Sequence, residues 1–479
     1  MKKKNKSTKL HLISKIIYVI FLIMLVSFVI YVLSLGVVPS KYVVVLAFIT
    51  AIILIIFGIL IIKKEIKGWI RGIFTALASM NIIVILLLFI YLLETFSFID
   101  HVFIKDYQID NYYIIVKTDS IYDTIKSIEN KNLGTYTNNI SNYKKAIEKL
   151  KEKIKYKSKL FDSYYDGVDR LLNGDIDALL ISSSHYEIMS EAYSNFKTDT
   201  RILDKIIIKI PRNKVPNNKK VEDSFTVYIS STDIEGDIST TAKSALNMLV
   251  TVNLNTNKVL LTSIPTDYYV DLKDLGYKDR LAYAGFYGID KSISTIESFM
   301  GIDIDYYIRL NYTSLKNVVD AIDGIDIYND TKFTSQIDKN CKYEQGNIHL
   351  DGRCTLAYAR ERFLYKEGDR KRVVNQQNVL KAIINKSLTS KTIILKYFNI
   401  LKSMSNSFET NITQKNIIQL INYELDKMPN WKFDSYNLNG TDDMKKTYSS
   451  PNREVYVMEP DLSTITTAKN NILKLLKEN

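Results

Sequence analysis

The sequence predicts a mixed α/β protein, with a sheet covered by helices on both faces, placed behind three membrane-spanning helices. Two observations lead there. Three long uncharged apolar runs open the chain, and from residue 112 onward strand-like apolar runs interleave with helical periodicity. The scale fits: 479 residues suggest two or three units at roughly 100–200 residues each. With 46% hydrophobic and 24% charged residues, wholesale disorder is excluded.

The apolar runs are Ile16–Leu35, Val43–Ile62 and Gly72–Leu93. Each is about 20 residues, the length a helix needs to cross roughly 30 Å of hydrocarbon. No small-residue cleavage pattern follows the first run, so it is not a removable signal peptide. Residues 1–98 therefore read as a three-helix membrane segment. Lys2, Lys3, Lys4, Lys6 and Lys9 precede the first run, and Lys63, Lys64, Lys67 and Arg71 separate the second from the third, whereas the first link holds only Lys41. The positive-inside rule then expects a cytoplasmic N-terminus and everything after Leu93 outside. Residues 1–100 hold eleven Lys/Arg and three acids (+8), so the rest of the chain carries 12 − 8 = +4. That distribution and topology argue against a nucleic-acid partner. Asn81, polar within the third run, is expected to pack between helices.

Residues 112–210 read as a small α/β accessory domain. Strand patterns at Tyr113–Lys117 and 131–136 alternate with helical patterns at Asp119–Glu129 and Ser141–Lys153, and a helix, Gly turn and strand fill 168–182. The order resembles one lobe of a periplasmic solute-binding protein. A binding cleft normally needs two lobes, so the expected role is docking or accessory, with small-ligand binding the alternative. Residues 211–223 are polar and hold two prolines, as a linker does. In 224–390, strands are expected at 225–230, 246–254, 258–264 and Tyr306–Leu310, with the second and third joined by Asn255, Thr256 and Asn257. Helices are expected at Thr295–Met300, Ser314–Ile322 and Asp369–Ser387. Residues 391–479 read as a mostly helical extension packed on this domain, with a strand in "EVYVMEP".

The densest chemistry lies in "YARERFLYKEGDRKRVVNQQ" (358–377). Arg360 and Arg362 share one side only if the chain is extended there. Asp369, Arg372 and Gln376 share a helix face by 3–4 spacing, with Arg370 beside them. Guanidinium forks bind phosphate oxygens bidentately, and a helix N-terminus adds donors. A solvated helix end with Arg–carboxylate pairs is the plainer alternative. Upstream, Asp233 and Asp267 follow strands. Carboxylates at strand ends beside a phosphate cradle suit Mg²⁺, although Asp in turns is ordinary. Two cysteines exclude a four-Cys zinc site, and four scattered histidines lack ligand spacing. Cys341 and Cys354 lie 13 apart. A disulfide is expected in an oxidising compartment, two thiols being the alternative.

Several of these stretches together resemble the LytR-CpsA-Psr (LCP) family: "TVNLNTNKVLLTSIPTDYYVDL", "GIDIDYYIRLNYTSLKNVVDAIDGIDIY", "HLDGRCTLAYARER" and "GDRKRVVNQQNVLKAII". The similarity covers about 224–390. The membrane segments, accessory lobe and tail match the capsule-type branch more loosely. The resemblance implies an α-β-α sandwich with a long apolar groove. It also implies an extracytoplasmic enzyme that moves a glycopolymer from a polyprenyl-pyrophosphate carrier to peptidoglycan, using Mg²⁺ and clustered arginines. Carried over by position, Arg360, Arg362 and Asp267 would be catalytic. Arg370, Arg372, Gln376 and Lys243 would hold phosphate, and Asp233 would hold the metal.

The pattern is also broken. The Arg of the family's Ile-Pro-Arg-Asp motif is Thr266 here, and its Arg-Ser-Asp stretch reads Lys243-Ser244-Ala245, which removes a metal carboxylate. The family's Lys-Leu-x-His-Ala reads Arg280-Leu281-Ala282-Tyr283-Ala284. Glu235 or Asp237 stands near enough in sequence to replace the missing ligand. Two readings follow: an active phosphotransferase, or a non-catalytic polyprenyl-phosphate-binding scaffold.

Overall fold

The computed structural model describes every residue except 1, 37–39, 103–106, 138–140, 213–220, 222, 235, 363, 365–368, 390–407 and 479. The chain separates into two compact units.

The first unit holds the helices α1 (Lys2–Ser34), α2 (Ser40–Ile62) and most of α3 (Gly68–Val102). Their stretches His11–Ser34, Tyr42–Ile62 and Gly68–Leu93 are long and apolar enough to cross a membrane. Tyr18, Phe21, Ile61, Ala78 and Ile85 form their small shared core. Asn81 makes no bridge between helices. Its amide donates to Leu77 O in its own helix at 2.9 Å, which satisfies the donor in an apolar setting.

In the second unit the accessory lobe is a five-stranded mixed sheet, ordered β3-β2-β4-β1-β5. Its strands are β1 (Tyr107–Lys117), β2 (Asn132–Tyr136), β3 (Lys157–Phe161), β4 (Ala178–Ser182) and β5 (Thr200–Pro211). Helix α4 (Ser141–Lys153) covers one face; α5 (Tyr164–Asn173), α6 (Ser183–Ala192) and the single turn α7 (Phe196–Asp199) cover the other. The helix expected at 119–129 is only a short 3-10 turn, Ile125–Ile128. β3 carries no apolar alternation that announces it, whereas β5 alternates buried Ile206 and Ile208 with exposed Ile207 and Lys209. The two strands form the sheet's edges, and β3 buries only Phe161. Most of the expected linker lies outside the described residues.

The larger domain is built on a six-stranded sheet ordered β16-β11-β6-β7-β8-β17. β6 (Ser224–Thr232), β7 (Ser244–Asn253) and β8 (Lys258–Ile264) form an antiparallel meander. Asn257 turns the β7–β8 corner at φ 54°, a conformation Asn tolerates. A small hairpin, β9 (Tyr269–Asp271) and β10 (Lys278–Arg280), precedes α8 (Ile289–Met300). β11 (Tyr306–Leu310) runs parallel to β6 and leads into α9 (Tyr312–Ala321). Two short ribbons follow, β12 (Ile325–Asn329) with β15 (Gly346–Leu350), and β13 (Phe333–Thr334) with β14 (Lys342–Tyr343). Next come α10 (Gly352–Arg360) and α11 (Asp369–Thr389). Cys341 and Cys354 form a disulfide that ties β14 to α10.

The segment after 390 departs from the expected helical extension. β16 (Phe408–Thr410) and β17 (Lys432–Asn437) supply both edge strands of this sheet. Helix α12 (Gln414–Lys427) groups instead with the N-terminal helices, where its Asn422 amide donates to Gly36 O. The last elements are the pair β18 (Gly440–Lys445) and β19 (Val455–Pro460), then α13 (Leu462–Lys477). α13 buries Ile465, Ala468, Ile472 and Leu475 on the sheet, one face at 3–4 spacing.

Lobe and domain are joined, not tethered. Ile109 of β1 pairs with the 239–241 backbone, and Ala282 and Tyr283 enter the lobe's own core cluster. A buried ionic knot secures the end of β5. Arg212 pairs with Asp290 at 2.7 Å and with Glu409 of β16. Glu409 also accepts from Tyr307 Oη at 2.9 Å and lies 3.7 Å from Arg309.

Candidate active site

Strand direction collects the site at one edge of the sheet. The carboxyl ends of β6, β8 and β11 and the start of β7 lie together there, the usual place for ligands in open α/β sheets. A cavity of about 810 Å³ opens at that edge. Asp233 after β6, Lys243 before β7, Asp267 after β8, Arg360, Arg362, Arg372 and Gln376 all line it. The side chains of Asp369 and Arg370 lie outside the described residues, although both residues begin α11. Asp237 is absent from the lining; its carboxylate caps the Ser239 N–H at 2.9 Å, a turn role.

The extended chain expected between Arg360 and Arg362 is present for a visible reason. α10 stops at Arg360, and Glu361 takes an extended conformation, φ −67° and ψ 126°. The Glu361 carboxylate points away from the cavity, where it is fully buried and accepts from Ser335 Oγ at 2.9 Å and Gln336 N at 2.8 Å. That anchor sets both arginines on the cavity side. Arg360 is further fixed over the Tyr312 ring, 4.3 Å from its centroid. Gln377 holds the first turns of α11 against the sheet by donating to Ser263 Oγ at 2.9 Å and Asn437 Oδ1 at 2.6 Å. The far wall is apolar: Val379, Leu380 and Ile383 of α11 face Leu315, Val318 and Leu356. A cationic mouth thus continues into an apolar groove.

The Thr266 and Ala245 positions have consequences. Ala282 N–H donates to Thr266 O, and Leu281 N–H to Tyr268 O, both at 2.8 Å. This zips the β10 end along 266–268 and brings Arg280 Nη1 to 3.7 Å from Asp267. Arg280 thereby restores a guanidinium close to the motif that lost one. Gly285 permits the same approach, since a Cβ there would meet Ala242 O at 2.5 Å.

Sequence reasoning missed Glu191. It comes from α6 of the accessory lobe, and its carboxylate receives Lys243 Nζ at 2.7 Å, Arg280 Nη2 at 2.6 Å and Tyr283 Oη at 3.0 Å. Burial alone would raise its pKa, but Arg280 and Lys243 outweigh burial and hold it below the usual carboxylate range. Burial likewise works against the Lys243 ammonium, yet Glu191 and Asp233 hold its pKa above normal. Lys243, expected to grip phosphate, therefore already faces Glu191, with Asp233 at 3.7 Å. No spacing rule links residue 191 to the motifs; only the fold brings it there. The expected result for Glu191→Gln is that Lys243 and Arg280 lose their shared anion. Affinity for a soluble prenyl diphosphate should then rise about tenfold, ~1.4 kcal/mol. Weaker binding by titration calorimetry would show instead that Glu191 holds the two cations in their working positions.

The cavity lining carries six Lys/Arg against four Asp/Glu, an excess suited to a dianionic or trianionic ligand. For Mg²⁺ the donor set is thin. Among the described residues no three His, Cys, Asp or Glu cluster as a metal cage. Asp233 offers one carboxylate, which matches a Mg²⁺ carried mainly by substrate phosphates and not one held between two side-chain carboxylates.

The LytR_cpsA_psr family model matches residues 186–470, more than half the chain. The chain belongs to the LytR_cpsA_psr family. The match reaches beyond 224–390 at both ends and includes most of α6, Glu191 among its residues. The chain is 30% identical over 251 residues to the polyisoprenyl-teichoic acid–peptidoglycan teichoic acid transferase TagU of Bacillus cereus, covering 52% of this chain and 80% of that one. It is 33% identical over 208 residues to the TagT transferase of Bacillus subtilis, covering 42% and 63%. Among solved structures, B. subtilis TagV aligns with a TM-score of 0.46 and 26% identity over 54% of this chain and all of that one.

Proposed function

We propose that this protein transfers a teichoic-acid-type glycopolymer from a polyprenyl-diphosphate carrier to peptidoglycan on the outer side of a membrane. The observation that carries the reading is the single cavity in which Arg360, Arg362 and Arg372 stand at the mouth of an apolar groove. The groove takes the polyprenyl chain, and the guanidinium forks hold diphosphate oxygens. The acceptor sugar hydroxyl attacks the phosphorus that bears the polymer, in line with the bond to the leaving phosphate. Its proton passes to the Asp267 carboxylate, which Arg280 faces. The new P–O bond joins polymer to acceptor as the P–O bond to polyprenyl phosphate breaks. Mg²⁺ arriving with the diphosphate would be held by Asp233 and would neutralise phosphate charge.

The scaffold reading draws on Ala245, which lines the cavity without a carboxylate, and on the Lys243 ammonium set against Asp233. One experiment separates the two. The full chain in detergent is given a synthetic polyprenyl-diphosphate-linked sugar and peptidoglycan fragments, with and without Mg²⁺, beside an Ala245→Asp/Thr266→Arg variant. Mg²⁺-dependent product by mass spectrometry with the native chain is the expected result. Product from the variant alone would make the native protein a carrier-binding scaffold; product from neither would sink the transferase reading. The Lys/Arg-rich termini of the membrane helices support a cytoplasmic N-terminus with residues 107–479 outside. Protease added to intact cells should then digest that body.

A further inference from the structure

A second cavity, of about 510 Å³, lies between the accessory lobe and the larger domain. α6 is the wall between the two cavities. Its Glu187, Ser190 and Glu191 face the arginines, whereas His185, Ile188 and Met189 face the second space. Tyr283 lines both. The lobe thus has the opposing wall that a binding cleft needs, supplied by the larger domain through residues such as Thr241, Asp279, Tyr287 and Tyr448.

The lining has a distinct chemistry. Nine aromatic rings surround the space, and among the described residues that line it there is no Lys or Arg. Its formal charges come from Asp110, Asp162 and Asp279. His185 stacks on Tyr164 with centroids 3.9 Å apart, and burial lowers its pKa to about 4, so it is neutral at pH 7. Such a surface repels phosphate, which separates it from the diphosphate site next door. Hydrogen-bonding groups are set among the rings. Asp110 accepts from Thr241 Oγ1 and Asn142 Nδ2, each at 2.9 Å, and Ser182 Oγ bonds Ser184 Oγ at 2.9 Å and His185 Nδ1 at 2.7 Å.

Aromatic side chains for C–H surfaces, carboxylate and hydroxyl groups for sugar hydroxyls, and exclusion of phosphate together specify one ligand chemistry. We propose that this cavity binds an unphosphorylated saccharide unit. The volume lies within the range of small-ligand sites. The choice of saccharide sources rests on the transferase reading. Two sources share the chemistry, the glycan strand of peptidoglycan and a sugar of the wall polymer.

The test uses the full chain in detergent micelles and three probes: the peptide-free peptidoglycan disaccharide, a dephosphorylated disaccharide from the wall polymer, and inorganic pyrophosphate. Binding is read by saturation-transfer NMR and calorimetry. The expected result is binding of one disaccharide, whose identity names the source. That affinity should fall at least tenfold in Tyr287→Ala/Tyr448→Ala, whose side chains sit half-exposed at the rim, with a melting temperature matched to the native chain as the control for folding. Arg362→Ala should leave it unchanged while losing pyrophosphate. Binding of neither disaccharide, binding untouched by the rim variant, or saccharide binding lost in Arg362→Ala would each overturn the proposal.

Discussion

Arg362→Ala should lower turnover by about two to three orders of magnitude, the scale seen when one charge-stabilising donor is removed from a transition state. Arg362 lies just past the end of α10, is exposed at the cavity mouth, and has Glu361 as the buried anchor beside it. Removing its guanidinium therefore leaves the fold alone, and melting of the variant should match the native chain. Arg362→Lys should recover only part of the rate, because an ammonium keeps the charge but loses the fork. Loss of kcat with little change in carrier affinity would place the interaction in the transition state. Unchanged turnover in Arg362→Ala would remove the arginine cluster from the chemistry.

Glu409→Gln carries the largest effect on stability. Its carboxylate is 1% exposed and faces Arg212, Arg309 and Tyr307. Burial pushes the Arg309 guanidinium below its ordinary pKa, with Glu409 opposing that shift. Neutralising Glu409 strands the buried Arg309 cation, while Arg212, on the segment that joins lobe to domain, keeps Asp290. The expected loss is about 3–5 kcal/mol, read as a fall of several degrees in melting temperature of the full chain. Adding Arg309→Met to the variant should recover part of the loss, since an apolar side chain has no charge to strand. An unchanged melting temperature would mean that the knot contributes nothing net.

Much of the molecule is legible in local pattern. The three apolar runs need only composition and length, and β8 and β11 fall where their apolar runs predict, Lys258–Ile264 and Tyr306–Leu310. The arginine cluster is legible because its members lie within 20 residues and alternate around one helix stop, so the Arg360–Glu361–Arg362 geometry follows from a local switch to extended backbone. Asp233 and Asp267 are legible as strand-end carboxylates. Edge strands are not: β16 is three residues long and β17 carries mostly exposed side chains, so neither shows periodicity, and both depend on partners far away in sequence.

The sequence by itself determined the three apolar helices, the central strands of the larger sheet, and which residues would carry positive charge to the site. Those properties follow from hydrophobic period and side-chain chemistry, which act over a few turns. Only the tertiary structure decided what that charge faces. Glu191 reaches Lys243 across 52 residues of sequence and Arg280 across 89, because α6 of a separate lobe packs against the sheet edge. The same packing encloses the tyrosine-lined cavity between lobe and domain. Electrostatic pairing and cavity shape depend on distance in space, and no local rule in the sequence measures it.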